Sequence, residues 1–197
     1  MSEADVWVGT YTGKKFRPFA PRWEDVDIED IAHSLSHQCR FNGHSDEFYS
    51  VAEHSIAVSH RVPAEDAMWG LLHDAAEAYV SDVVRPIKSR MAFLRGDGAI
   101  DMFRVVETNI LRVIAAAFDL PWPMPASVEI ADLRMLATER RNLFDGRQPA
   151  WDELATIEPY NKECCIELNC WPPFIAKSYF LNRYKALRGQ PCGTSPT

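Results

Sequence analysis

A chain of 197 residues, 47% apolar and 25% charged, is long enough to bury a core without disulfide or metal staples and has the composition of a globular domain. Its formal net charge of −7 excludes a broad basic footprint, and with it sequence-independent binding to long nucleic acid. No apolar run reaches the ~18 residues of a membrane span, and the opening MSEADVWVGTYTGKK lacks the pattern of a signal peptide, so a cytoplasmic protein that engages no membrane is expected.

In chain order, residues 1–27 read as an N-terminal arm, with a short hairpin or extended segment within WVGTYTGKKFRPFAPRW. A first helix is expected from Ile28 to Gln38, with Ile28, Ile31, Ala32 and Leu35 as its apolar stripe. After the loop NGHSDE, a second helix, FYSVAEHSIAVSHRV, runs to Pro63. Pro63 suits the start of a third, AEDAMWGLLHDAAEAYV, with Ala67, Leu71, Ala75 and Ala78 at helical spacing. A long amphipathic helix is expected over residues 97–118, with Ile100, Phe103, Val106, Ile110, Val113 and Ile114 inward, until PWPMP ends it. Helices follow at about 126–144 and 173–187, and GQPCGTSPT reads as a disordered tail, residues 189–197. The sum is an all-α single domain of six or seven helices over residues 28–188.

The five cysteines, Cys39, Cys164, Cys165, Cys170 and Cys192, are odd in number and lack an export context, which implies reduced thiols. CCIELNC has no second CxxC and no nearby histidine, so it is not assigned a zinc ion.

The chemistry concentrates in GLLHDAAEAYVSDVVRPIK. An ionised carboxylate on an apolar helix is costly unless something compensates it. His73 and Glu77, four apart, share a helical face, with Asp74 one step round. His54, set among Val51, Ala57 and Val58, and Asp132, within EIADLRML, are further ligand candidates on two other helices. Two histidines and two aspartates suit one divalent ion of the Mn²⁺, Co²⁺, Fe²⁺ or Mg²⁺ kind and leave positions open for water and substrate. Taken singly these residues are ambiguous. A lone helical histidine is more often structural, and Asp132 is also placed to pair with Arg134 or Arg140.

Together, EFYSVAEHS, LLHDAAEAYVSDVVRPIK and EIADLRML resemble the H…HD…D pattern of the HD-domain phosphohydrolases, within which the chain looks most like the bacterial 5′-deoxynucleotidases and the related phage dNTP triphosphohydrolases. The likeness covers roughly residues 28–145. It implies an HD-type helical bundle with His54, His73, Asp74 and Asp132 as metal ligands and Glu77 orienting or deprotonating the attacking water. It also implies Arg40 and Lys88 at phosphate oxygens, Asp82 near the sugar, and Pro86 and Phe41 at the substrate. Phe41 stands where these enzymes commonly carry Trp, keeping a flat face but losing the indole N–H. The expected activity is hydrolysis of deoxynucleoside 5′-monophosphates to nucleoside and phosphate; the alternatives are release of triphosphate from dNTPs and a non-catalytic nucleotide sensor. The resemblance further implies a homo-oligomer.

Overall fold

The helix that anchors the molecule is the one with the least amphipathic pattern. Helix α2 (Val51–Ser59) buries Val51, Ala52, Glu53, His54, Ser55, Ile56, Val58 and Ser59, as a helix packed on nearly all sides must. Ser50 caps it by accepting the Glu53 N–H at 3.1 Å. Around it the computed structural model, which describes residues 6–161 and 168–189, places α1 (Ile28–His37), α3 (Ala67–Leu72), α7 (Ala126–Leu143) and α8 (Pro173–Arg188). Helix α1 starts at Asp27, whose side chain accepts the Glu29 N–H, and buries the expected Ile31, Ala32 and Leu35. The N-terminal arm is a hairpin, β1 (Val8–Gly9) paired antiparallel with β2 (Lys15–Phe16). Asp30 pins its turn to α1 by accepting from the N–H and hydroxyl of Thr12 at 2.6 and 2.9 Å. The architecture is mostly helical, with only two small strand pairs among the described residues. None of the described helices is long and apolar enough to cross a membrane.

Two expected helices take a different form. The third is interrupted: α3 stops at Leu72, residues 73–76 form tight turns, and the short helix α4 (Glu77–Val80) follows. The His73 side chain supplies the reason. Its Nδ1 donates to the Gly70 carbonyl at 2.9 Å, the carbonyl that a continuous α-helix would offer to the Asp74 N–H. The second departure is at residues 97–102. They do not open the long helix, which begins only at Phe103 (α6, Phe103–Ala117). Instead β3 (Ala92–Leu94) and β4 (Ile100–Met102) form a hairpin around RGDG, with Gly98 at φ +85°, a left-handed conformation that favours glycine. Ile100, expected inward, is therefore exposed. Between the interrupted helix and this hairpin lies α5 (Arg85–Lys88). Residues 190–197 of the expected tail, and Cys164 and Cys165 of CCIELNC, lie outside the described residues; Cys39 and Cys170 are free thiols.

Gly70 sets how closely α3 approaches α2. A Cβ at this position would lie 2.9 Å from the Ser59 Cα and 3.2 Å from the Ser59 nitrogen, so backbone would have to move. Gly70→Ala is expected to lower stability by about 1–3 kcal/mol, the usual cost of overpacking, read as a fall in Tm in a thermal melt.

Candidate metal centre

Three elements deliver the site. Helix α2 brings His54 from the core, the turn that follows α3 brings His73 and Asp74, and α7 brings Asp132. His54 Nε2 lies 3.2 Å from His73 Nε2, 3.6 Å from Asp74 Oδ2 and 3.1 Å from Asp132 Oδ1. His73 Nε2 is 3.2 Å from Asp74 Oδ2 and 3.9 Å from Asp132 Oδ1. Ligands held at about 2.1 Å by one ion lie about 3.0–3.4 Å from their neighbours; the separations of 3.1 and 3.2 Å suit a divalent cation, and those of 3.6 and 3.9 Å are longer. His54, His73 and Asp74 are the tightest trio. Asp132 meets both rings, and its other oxygen accepts from Arg85 Nη2 at 2.8 Å.

The far side of each ring defines what the near side presents. His54 Nδ1 donates to Glu139 Oε1 at 2.6 Å, and His73 Nδ1 donates to the Gly70 carbonyl. With both Nδ1 atoms carrying hydrogen, two Nε2 lone pairs face each other, an arrangement that needs a proton or a metal ion. The residues therefore fit a bound divalent ion on their own geometry.

The electrostatics agree. Burial and Arg40 act to lower the pKa of His54, but Glu139 and Asp132 outweigh them and push it up to about 9. Burial alone would raise Asp74; His73, His54 and Arg40 hold it far below the usual carboxylate range. Asp132 is likewise lowered to about 2, the hydrogen bond and charge of His54 overcoming its burial. Glu77 behaves oppositely: burial, then Asp74 and Asp82, raise it well above a normal carboxylate although Lys88 opposes the shift.

A cavity of about 880 Å³ opens beside these groups, lined by His73, Asp74, Glu77 and Asp132 together with Arg40, Phe41, Asp82, Pro86 and Lys88. Every substrate-side residue named from the sequence thus borders one space, but their partners differ from expectation. Arg40 is buried, with Nη2 donating to Glu139 at 3.1 Å and Nη1 3.6 Å from Asp74. Lys88 Nζ is held between Glu77 at 3.0 Å and Glu107 at 2.6 Å. Phe41, in a left-handed turn at φ +58°, packs edge-on against Phe144 with ring centroids 5.1 Å apart. Gln38 staples the turn that carries Glu77 and Asp82, donating to the Glu77 carbonyl at 3.0 Å and accepting the Asp82 N–H at 2.8 Å. Burial raises the Asp82 pKa against the opposing charge of Arg40.

Sequence reading missed Glu139, Arg85 and Glu107. Glu139 carried a usable signal, since it lies seven residues after Asp132 on α7, two turns along the same face. Arg85 stands in the same motif as Lys88, three residues before it on α5, whereas Glu107 carried no signal, because only the packing of α6 brings it to the cavity.

Fold and site together define a mostly helical protein with a His–His–Asp cluster, its histidines buried, that could hold a metal ion. The chain is 42% identical over 181 residues to the uncharacterized protein YfdR of Escherichia coli K12, an alignment covering 92% of this chain and 95% of that protein, and it belongs to the same family. An uncharacterized protein of Rhodobacter capsulatus is 31% identical over 135 residues, 64% of this chain and 65% of its own. No family model matches the chain.

In the metal-free protein, a His54 pKa of about 9 lies above the unfolded value of about 6.5. Its stabilising contribution is complete below pH ~6.5 and is lost as pH rises through about 9. A divalent ion has to displace that proton, so apparent Mn²⁺ affinity is expected to rise about tenfold per pH unit over this interval. Chelator-competition titrations between about pH 6.5 and 8.5 measure the slope, and a flat profile contradicts the assignment.

Proposed function

We propose that this protein is an HD-type, metal-dependent phosphohydrolase that cleaves deoxynucleoside 5′-monophosphates to nucleoside and phosphate. The observation that carries the reading is the pairing of the two facing imidazoles with Glu77. Glu77 Oε1 is tied to Lys88, whereas its buried Oε2 has no hydrogen-bond partner. One oxygen is thus fixed and the other is unpaired, on a residue that borders the cavity the metal candidates line.

His54, His73, Asp74 and Asp132 hold the ion, which supplies Lewis-acid character and lowers the pKa of water when bound. Glu77 Oε2 takes the proton from the attacking water, as a carboxylate of raised pKa is suited to do. The water oxygen bonds to phosphorus, the phosphorus–O5′ bond breaks, and the proton passes to the leaving oxygen. Arg85, the more exposed cation beside Asp132, meets phosphate oxygens, while Arg40 and Lys88 contribute positive potential from behind their carboxylate partners. Phe41, Phe144 and Trp151 form the apolar wall for base and sugar. A net charge of −7 is no obstacle, because the cations converge on one cavity.

A second reading, release of triphosphate from dNTPs, has one observation in its favour: Arg104 also lines the cavity and adds charge for a longer phosphate chain. Assaying phosphate and triphosphate release from a panel of nucleotides with Mn²⁺, Co²⁺ and Mg²⁺ separates the two. Glu77→Gln is expected to retain bound metal and lose about 10²–10⁴ in kcat. Wild-type turnover in that variant, or no turnover on any nucleotide by the metal-loaded wild type, overturns the proposal.

A further inference from the structure

We infer that Glu139 and Arg40 are positioning residues of the metal centre: Glu139 holds the hydrogen of His54 on Nδ1 so that Nε2 presents a lone pair, and Arg40 holds the Glu139 carboxylate in place. The inference rests on the metal-centre reading above and adds residues that never touch the ion.

The geometry is a buried chain of contacts. Glu139 is fully buried and does not line the cavity, so it meets neither solvent nor a molecule bound there. Its two oxygens are divided: Oε1 accepts from His54 Nδ1 at 2.6 Å and Oε2 from Arg40 Nη2 at 3.1 Å. A carboxylate only accepts, so the hydrogen in the first contact belongs to the imidazole. Arg40 is itself only 8% exposed, and its second amino group faces Asp74 Oδ2 at 3.6 Å. One guanidinium therefore supports a histidine ligand through Glu139 and a carboxylate ligand directly. The left-handed backbone of Phe41 and Asn42, at φ +58° and +52°, forms the tight turn that Arg40 begins. Such outer partners fix ring orientation and tautomer, and removing them typically weakens metal binding about 10- to 100-fold.

The decisive variant is Glu139→Gln, nearly the same shape with a different donor pattern. Arg40 can only donate, so it keeps the amide oxygen on its side. The amide NH₂ then faces His54 Nδ1, which has to accept, and the imidazole hydrogen moves to Nε2, where it blocks ligation. Two measurements test this. Titration with Co²⁺ alone, followed by its visible absorption, should show affinity about 10- to 100-fold weaker in the variant than in the wild type. Nitrogen-15 NMR of the metal-free proteins, at a pH where His54 is neutral, should place the hydrogen on Nδ1 in the wild type and on Nε2 in the variant. A purely structural role for Glu139 would lower Tm and leave both readouts unchanged, which overturns the proposal. If Glu139→Gln does not fold, the wild-type spectrum still decides, because a neutral His54 with its hydrogen on Nε2 is incompatible with the assignment. Failure of the wild type to bind Co²⁺ would overturn the metal-centre reading itself, and this inference with it, and is told apart by that first titration.

Discussion

Two imidazole nitrogens offering lone pairs at 3.2 Å repel unless positive charge lies between or beside them, and much of the molecule is arranged to impose that encounter. Helix α2 is buried on nearly every side, which carries His54 into the core. Gly70 lets α3 press against the Ser59 backbone, and its carbonyl then turns the His73 ring. Helix α7 supplies Asp132 and, two turns on, the carboxylate behind His54. The close approach of α3 to α2 and the orientation of the His73 ring thus meet at one glycine.

Around that encounter the charges alternate. Glu139, Arg40 and Asp74 form one series, Glu77, Lys88 and Glu107 another, and Asp132 with Arg85 a third. Buried ion pairs are a weak source of stability, since desolvation offsets much of their attraction. Apolar residues of similar volume would hold the same helices together. The three series, two of them largely buried and the third partly exposed at Arg85, converge on one cavity.

The extent to which all this was legible in the sequence follows from the kind of signal each part carries. Helix α1 announces itself through apolar spacing after Asp27, and α7 and α8 through Pro125 and Pro172 before them, because those are local properties of the chain. The break after Leu72 is also local in cause, but it depends on a histidine side chain taking a backbone carbonyl, which spacing does not encode. Residues 97–102 carry a false helical signal because Ile100 and Phe103 fall at helical spacing, although RGDG between two short apolar segments is turn chemistry. At the site, the candidate ligands were legible as a pattern and the geometry brings them together. The Glu139 partner of Arg40 and the Glu107 partner of Lys88 were not, because each lies outside the motif that carries its cation.

Glu53, the neighbour of His54, points the other way and accepts three backbone N–H groups, from Asn169 at 2.6 Å, Cys170 at 3.1 Å and Trp171 at 2.8 Å. Because it grips peptide groups and not side chains, this contact depends on backbone shape, which includes a left-handed φ of +51° at Cys170, and it excludes proline at those positions. It is sensitive to chain length, since one inserted residue would shift the three donors out of step with a single carboxylate. The segment leading into α8 is therefore held in register against α2 through its backbone, while the side chains of Leu168, Cys170 and Trp171 are left to pack into the hydrophobic clusters on either side.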